Sequence, residues 1–433
     1  MQRILSPLDG RYRDKVHSVA LFFSEEDILR SKYNLEIDYL AFLSKILGLN
    51  YKEDISKGLK GDFSSFSIGE IEKSTKHDIK AIELYIVEGI KNFYPKYDRL
   101  IPFVHFGLTS QDVNSFATSN AVAGWHRTFG LEIISELISA IDSLAESSDL
   151  PFPARTHGQF AVVTSLKKEI SLFAFRLKEQ EEKLKSFQFR VKFGGAVGNL
   201  SAHYAAYPDI NWEEELTVFM ANYGLVRQKI TTQVDNNDWL AEYLSIWTRI
   251  NNIMIDFCRD IWMYFSYGYF EKRVSSDEIG SSTMPQKINP IEFENGEGNL
   301  EFANSILTFM MSKLQISRMQ RDLTDTTVIR NIGLPFGHSV VAYHSIITGC
   351  KKISANEKAI ADDISLHPEM IAENLQTILR ASGKNDAYNL VKTFFSGRSH
   401  SQKEVLKFIA DLKLEEIISE EEFKRFFKFL IKE

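Results

Sequence analysis

The densest chemistry in the chain lies in Gly280-Ser281-Ser282-Thr283-Met284-Pro285-Gln286-Lys287-Ile288-Asn289-Pro290. Glycine and proline bracket two adjacent serines and one lysine, and such residues punctuate local structure. Packing does not account for the stretch, because its large apolar residues, Met284 and Ile288, share no period. Asn289-Pro290 reads as a helix start, with asparagine as N-cap and proline at the first helical position. A hydroxyl-rich loop carrying one cation at a helix N-terminus suits the handling of anions. The alternative is an ordinary solvated connection.

Other chemistry is scattered. Arg155-Thr156-His157-Gly158-Gln159 gives a histidine with hydrogen-bonding neighbours and no bulky residue beside it. With a reference pKa near ~6.5 it suits proton transfer at neutral pH, against the alternative of a structural histidine. His77-Asp78 falls at a helix start, where Asp78 reads as the N-cap. Thr109 or Ser110 caps a further helix, whose free N–H groups suit a carboxylate as well as a cap. Between Ser317 and Asn331, Arg318, Arg321 and Arg330 alternate with hydroxyl residues, a pattern suited to phosphate or carboxylate. An ion-pair network with Asp322 and Asp325 is the other reading.

Helices must position these residues. Ser24 to Leu47 is helical, with Ile28, Tyr33, Leu35, Tyr39 and Leu43 on a broad apolar face. Ile79, Ile82, Ile86 and Ile90 form a helical stripe, and a long helical region runs from Asp112 to Ser148. Pro151 and Pro153 break it, and His157 then precedes a helix striped by Ile170, Phe173, Leu177, Leu184, Phe187 and Val191. The glycines of Phe193 to Asn199 do not follow GxGxxG spacing and read as a tight turn. Trp239 to Tyr267 is the clearest helix. Another follows the loop, with Leu300, Ala303, Leu307, Met310 and Leu314 on one face. Residues 336–355 and the chain end, with Phe423, Phe426 and Phe427 on one face, are also helical. Strand-like alternation is scarce, so the class is mainly α; such lengths suit a long-helix bundle, and apolar stripes this long often reach a neighbouring subunit.

Composition narrows the functions. The 433 residues are 44% hydrophobic and 25% charged, which is globular, and a net charge of −7 lacks the basic footprint of a nucleic-acid binder. An anionic ligand therefore needs a local arginine and lysine cluster. Cys258 and Cys350 show no CxxC spacing, and no HExxH occurs, so no metal site and no cofactor is expected. The start of the chain carries no signal-peptide run and no stretch is apolar enough for a membrane span, which leads to a cytoplasmic expectation.

Together these stretches resemble the adenylosuccinate lyase family, bacterial purine-biosynthesis type, of the fumarase/aspartase superfamily. The resemblance runs through Ser6 to Tyr12, His77-Asp78, Thr109-Ser110, Arg155 to Gln159, Gly195 to Asn199, Gly280 to Pro290, Glu294-Asn295 and Arg321 to Asn331. It implies three helical domains: 1–111, a central long-helix bundle 112–352 carrying the loop 280–290, and 353–433. It also implies a homotetramer whose core is the central bundles and whose active sites are shared between chains.

The implied reaction is β-elimination of fumarate from adenylosuccinate to give AMP and from SAICAR to give AICAR. By resemblance Ser281 takes the carbon proton, His157 protonates the departing nitrogen, and Lys287 with the loop backbone stabilises the developing dianion. Thr109, Ser110, Gln233 and Asn295 are the implied succinyl contacts, and Arg11, Tyr12, Arg321 and Arg330 hold the ribose phosphate and base. His77, Asp78, Ser282, Asn289, Thr326 and Thr327 complete the implied substrate-binding set. Lys76, Phe160 and Gln286 depart from the family's usual Asn, Pro and His, and none of these positions touches Ser281, Lys287 or His157. Two alternatives stay open: argininosuccinate lyase or another fumarate-releasing sister, and a catalytically silent structural member.

Overall fold

A computed structural model describes residues 4–49, 55–272, 284, 287–397, 399–419 and 421–422. The aromatic terminal stretch around Phe423, Phe426 and Phe427 lies outside them. In chain order come α1 (His17–Phe23), α2 (Glu25–Ile46), α3 (Ile55–Gly61), α4 (Ser65–Thr75), α5 (Asp78–Phe93), α6 (Ser110–Trp125) and α7 (Leu131–Glu146). A hairpin of β1 (Pro151–Thr156) and β2 (Gln159–Ser165) leads into α8 (Leu166–Lys185). The parallel strands β3 (Arg190–Val191) and β4 (Val226–Arg227) flank α9 (Ser201–Ala206) and α10 (Trp212–Ala221). Next are α11 (Asp238–Ser266), β5 (Phe270–Lys272), α12 (Ile291–Lys313), α13 (Thr324–Ile329), α14 (Gly333–Lys352) and β6 (Ile353–Ala355), with β5 and β6 antiparallel. The helices α15 (Glu357–Leu366), α16 (Ala372–Ala381), α17 (Ala387–Phe395) and α18 (Gln402–Asp411) follow. The class is mainly α, as expected.

The chain folds into two compact units. The first comprises Met1–Ser135, Glu179–Asn252 and Gly298–His344; the second comprises Glu136–Lys178, Ile253–Glu297 and Ser345–Glu433.

In the first unit, Ser24 caps α2 by accepting from the Asp27 N–H, and Glu25, Glu26 and Asp27 place negative charge on its first turn. The predicted isoleucine stripe of α5 is fully buried at Ile79, Ile82, Ile86 and Ile90. α6 is buried almost all round, and its buried set includes the polar Gln111, Asp112, Ser115 and Ser119. Buried polar groups need partners, so these side chains mark the helix as more than packing. Trp125, Trp247, Phe336 and Tyr243 form an aromatic cluster, with the two tryptophan rings 5.1 Å apart. The predicted helix 112–148 is interrupted by one π-helical turn, His126–Gly130.

In the second unit, the helix expected directly after His157 is instead the β1–β2 hairpin. Thr156 pairs with Gln159, so His157 and Gly158 form a two-residue turn, with φ of 52° and 74°. Both sit in the left-handed region that such hairpin turns require. The β-branched run Val162-Val163-Thr164 favours a strand, and α8 starts only at Leu166. α8 ends at Lys185, so Phe187 and Val191 of the predicted stripe lie beyond it. Phe152 packs edge-on to Tyr264 and Tyr269, tying the hairpin to the core of this unit. A separate core of Leu375, Leu379, Val391, Val405 and Ile409 holds α16, α17 and α18 together.

Candidate active site

Helix starts supply the site. In the first unit the N-termini of α5 and α6 open onto a cavity of 430 Å³ that also receives Gln233 and the segment from Arg321 to Ile332. Each helix start brings the positive end of its dipole to the cavity lining. The structure thereby brings together His77, Asp78, Thr109, Ser110, Gln233, Arg321, Thr326 and Arg330, all of them site candidates from the sequence.

His77, not Asp78, is the N-cap of α5: its Nδ1 accepts from the Lys80 N–H at 3.3 Å. The ring proton therefore belongs on Nε2, which donates to Ser110 Oγ at 3.2 Å. That bond joins the two helix starts. Asp78 is the first helical residue; it accepts from the Ile79 N–H and pairs with Lys32 at 2.7 Å. Burial pushes the Asp78 carboxyl up, but the Lys32 charge and hydrogen bond outweigh it and hold the group below its ordinary value.

Thr109 caps α6, and Asp112 Oδ2 accepts from its N–H at 2.8 Å. Asp112 and Lys192 are both fully buried and paired at 2.7 Å. Asp112 Oδ1 also accepts from the Gly194 N–H at 2.7 Å, and Lys192 Nζ donates to the Gly195 carbonyl at 2.7 Å. One ion pair thus fastens the Gly-rich turn to the start of α6. Burial pulls the Lys192 ammonium down, with Asp112 opposing. Gly198, at φ 78°, is required here, since a Cβ on it would lie 2.3 Å from the Thr231 carbonyl. The expected tight turn is present, and Gln233 Nε2 donates to its Ala196 carbonyl at 2.9 Å.

The loop leading to Thr109 is braced from behind. His105 holds a left-handed φ of 57°, and its Nδ1 lies 2.6 Å from Glu36 Oε1. Burial pulls the imidazole down, but the hydrogen bond and charge of Glu36, with Glu83 and Asp112 adding, leave it above its ordinary value. Tyr39 donates to the Phe106 carbonyl at 3.0 Å and lies 2.8 Å from Nε2 of the buried His203. Burial holds His203 neutral, with its pKa lowered to about 4.

Of the predicted arginines, Arg318 pairs with Asp322 at 3.5 Å, whereas Arg321 and Arg330 line the cavity. Asp322 also accepts from the Thr324 hydroxyl and backbone, which hold its carboxyl at about 2. The Gln111 amide oxygen, oriented by its surroundings, accepts from Arg321 Nη1 at 2.7 Å and Nη2 at 3.0 Å. Gln111, Asp112 and Lys192 went unnoticed in the sequence; only the Thr-x-x-Asp pattern at 109–112 signals one of them.

Other candidates are not at this cavity. Arg11 is exposed and Tyr12 packs against Leu8, Val16 and Val341. Thr327 is exposed on α13, its carbonyl accepting from the Asn331 side chain at 3.1 Å. His157, Lys287, Asn289 and Asn295 belong to the second unit. There His157 is exposed at the hairpin tip, Lys287 is exposed, and Asn289 and Asn295 are half-buried. α12 starts at Ile291, one residue later than Asn289-Pro290 implied. Ser281 and Ser282 lie outside the described residues.

A family model described as lyase matches residues 43–301, and one described as adenylosuccinate lyase C-terminal matches 317–426. The chain is 39% identical to an adenylosuccinate lyase of Dictyostelium discoideum over 436 aligned positions, covering 96% of this chain and 94% of that one. An Escherichia coli K12 protein of the same name is 36% identical, over 95% of this chain and 92% of its own. The chain belongs to the adenylosuccinate lyase family. It is thereby a carbon–nitrogen lyase of the fumarase/aspartase superfamily. The 3-carboxy-cis,cis-muconate lactonizing enzyme from Pseudomonas putida superposes with a TM-score of 0.73 over 96% of this chain and 93% of its own. At 18% identity it shares the fold alone. Adenylosuccinate lyase membership spans both units, since the lyase match covers the hairpin and the Gly-rich turn, and the second match runs from the Arg321 segment through α18.

Proposed function

We propose that the protein eliminates fumarate from adenylosuccinate, leaving AMP, and from SAICAR, leaving AICAR. The observation that carries this is the 430 Å³ cavity in which two helix N-termini, Ser110, Gln233, Arg321 and Arg330 meet. Its helix-end N–H groups and hydroxyls suit the succinyl carboxylates, and its arginines suit the phosphate.

Elimination breaks a C–H bond beside a carboxylate and then a C–N bond. In this reading Ser281 removes the proton, and the electron pair spreads into the adjacent carboxylate as a dianion. The pair then forms the fumarate double bond as nitrogen leaves, and His157 supplies the proton nitrogen needs. A serine hydroxyl is a weak base, so Lys287 lowers the cost of its deprotonation and of the dianion.

The further organisation we propose is three helical domains, 1–111, 112–352 and 353–433, in a homotetramer whose active sites draw on several chains. An exposed histidine on a hairpin tip suits delivery into a site of another subunit. Uncovered apolar side chains support assembly: Phe175 is 61% and Trp262 44% exposed in the second unit, and Phe302 52% and Phe309 54% in the first. The substrates and the composition point to the cytoplasm. Among the described residues no helix is long and apolar enough to cross a membrane.

Substituting His157→Gln or Ser281→Ala tests the reading. Turnover of adenylosuccinate is expected to fall by about three orders of magnitude or more, with an unchanged circular dichroism spectrum. A double variant that keeps wild-type turnover overturns it.

A further inference from the structure

Gln111 is 6% exposed and sits on the second residue of α6, between Ser110 and the buried Asp112. Its backbone is therefore fixed by the same cap and ion pair that fix the helix start. Its amide oxygen takes both terminal nitrogens of Arg321, at 2.7 and 3.0 Å. A guanidinium is a rigid planar fork, so two bonds to one acceptor set its plane and its direction. The acceptor is neutral.

That neutrality matters against the other charges of the cavity. Lys32 is already matched by Asp78 at 2.7 Å. Asp235 is turned to the interior, where it accepts from Ser115 Oγ at 2.8 Å, the Lys192 N–H at 3.2 Å and Gln228 Nε2 at 2.8 Å. Asp325 accepts from the Thr326 hydroxyl at 3.2 Å. Among the described residues Arg321 has no carboxylate partner. A glutamate at position 111 would match glutamine in shape and pair with Arg321 as an ion pair, so an incoming anion would have to compete with it.

We propose that Gln111 is a positioning and specificity-determining residue, which aims Arg321 at a phosphate monoester dianion while leaving its positive charge unspent. The proposal rests on the reading above, in which Arg321 receives the nucleotide phosphate. Its consequence is that an amide, and not a carboxylate, at 111 sets the affinity of the cavity for that dianion. Gln111 itself need not touch the reacting atoms, so its effect falls on binding and not on the chemical step.

The test pairs kinetics with titration of AMP by calorimetry, using the full chain. Gln111→Glu is expected to raise KM for adenylosuccinate and Kd for AMP at least tenfold, with a much smaller change in kcat. Gln111→Met keeps length, removes the acceptor and adds no charge, so its rise is smaller than that of Glu. Adenosine, which lacks the phosphate, is expected to bind the Glu variant as it binds the wild type. In an Arg321→Met background the Glu substitution is expected to change Kd for AMP less than twofold. An unchanged Kd in Gln111→Glu, an equal loss for adenosine, or an equal loss in the Arg321→Met background overturns the proposal. So does a wild-type protein that does not bind AMP. Because AMP binding is read without turnover, a wild type that binds AMP but does not convert adenylosuccinate sinks the lyase reading alone.

Discussion

At the scale of residues, the fully buried pair Asp112–Lys192 holds the start of α6 and the Gly-rich turn in one network. Removing one partner leaves a buried charge alone, which costs about 3–5 kcal/mol, whereas removing both is far milder. Asp112→Asn is therefore expected to lower the melting temperature by several degrees, and Asp112→Asn with Lys192→Met to recover part of that loss. Equal losses in the single and double variants would contradict the pairing. His105 supplies a pH dependence. Its folded pKa is raised, so its contribution is complete below the unfolded value near ~6.5 and is lost as pH rises through the folded value. Asparagine tolerates the left-handed backbone there, so the melting-temperature advantage of wild type over His105→Asn should shrink as pH rises from about 6 to 9. An advantage that grows over that range would contradict it. Some of this was legible in the sequence. Hydroxyls at helix starts and arginines alternating with hydroxyls pointed to Thr109, Ser110, Arg321 and Arg330 because their chemistry is local. Gln111 with Arg321, and Asp112 with Lys192, were not, because each pair joins residues far apart in the chain and neither glutamine nor a buried lysine forms a motif.

At the scale of elements, the hairpin that carries His157 is clamped by a stack within its own unit. The Arg155 guanidinium lies 3.6 Å from the centroid of Phe160 and 4.4 Å from that of Tyr267, and the Phe160 ring stacks on His367 at 3.7 Å. Tyr269 donates to Asp363 at 2.6 Å beside it. The stack gives Phe160 a role as a brace. Phe160→Ala is expected to lower kcat about tenfold or more with little change in KM, since the proposed function makes His157 the proton donor and a small misplacement of such a group is costly. Phe160→Tyr should restore most of the rate; no loss in the alanine variant would mean that the hairpin needs no brace. The helices were legible from their periods: the buried isoleucines of α5 and the limits of α11 agree with the pattern. The hairpin was not. Its turn uses a histidine in the left-handed region in place of the usual Asn-Gly, and prolines in its first strand read as breaks.

At the scale of the whole molecule, the mainly helical class followed from long apolar stripes and scarce alternation. The family followed from motifs lying between those helices. The assembly has no such local signature, because a stripe facing a subunit looks like a stripe facing a core. Sedimentation is expected to give a tetramer, and a stable, active monomer would contradict the shared-site arrangement. The central claim is the reaction itself, and the direct measurement is ultraviolet absorbance of purified protein with adenylosuccinate, run in parallel with argininosuccinate. Spectral conversion to AMP with one fumarate released per AMP is the predicted result. Turnover of argininosuccinate without conversion of adenylosuccinate would contradict it.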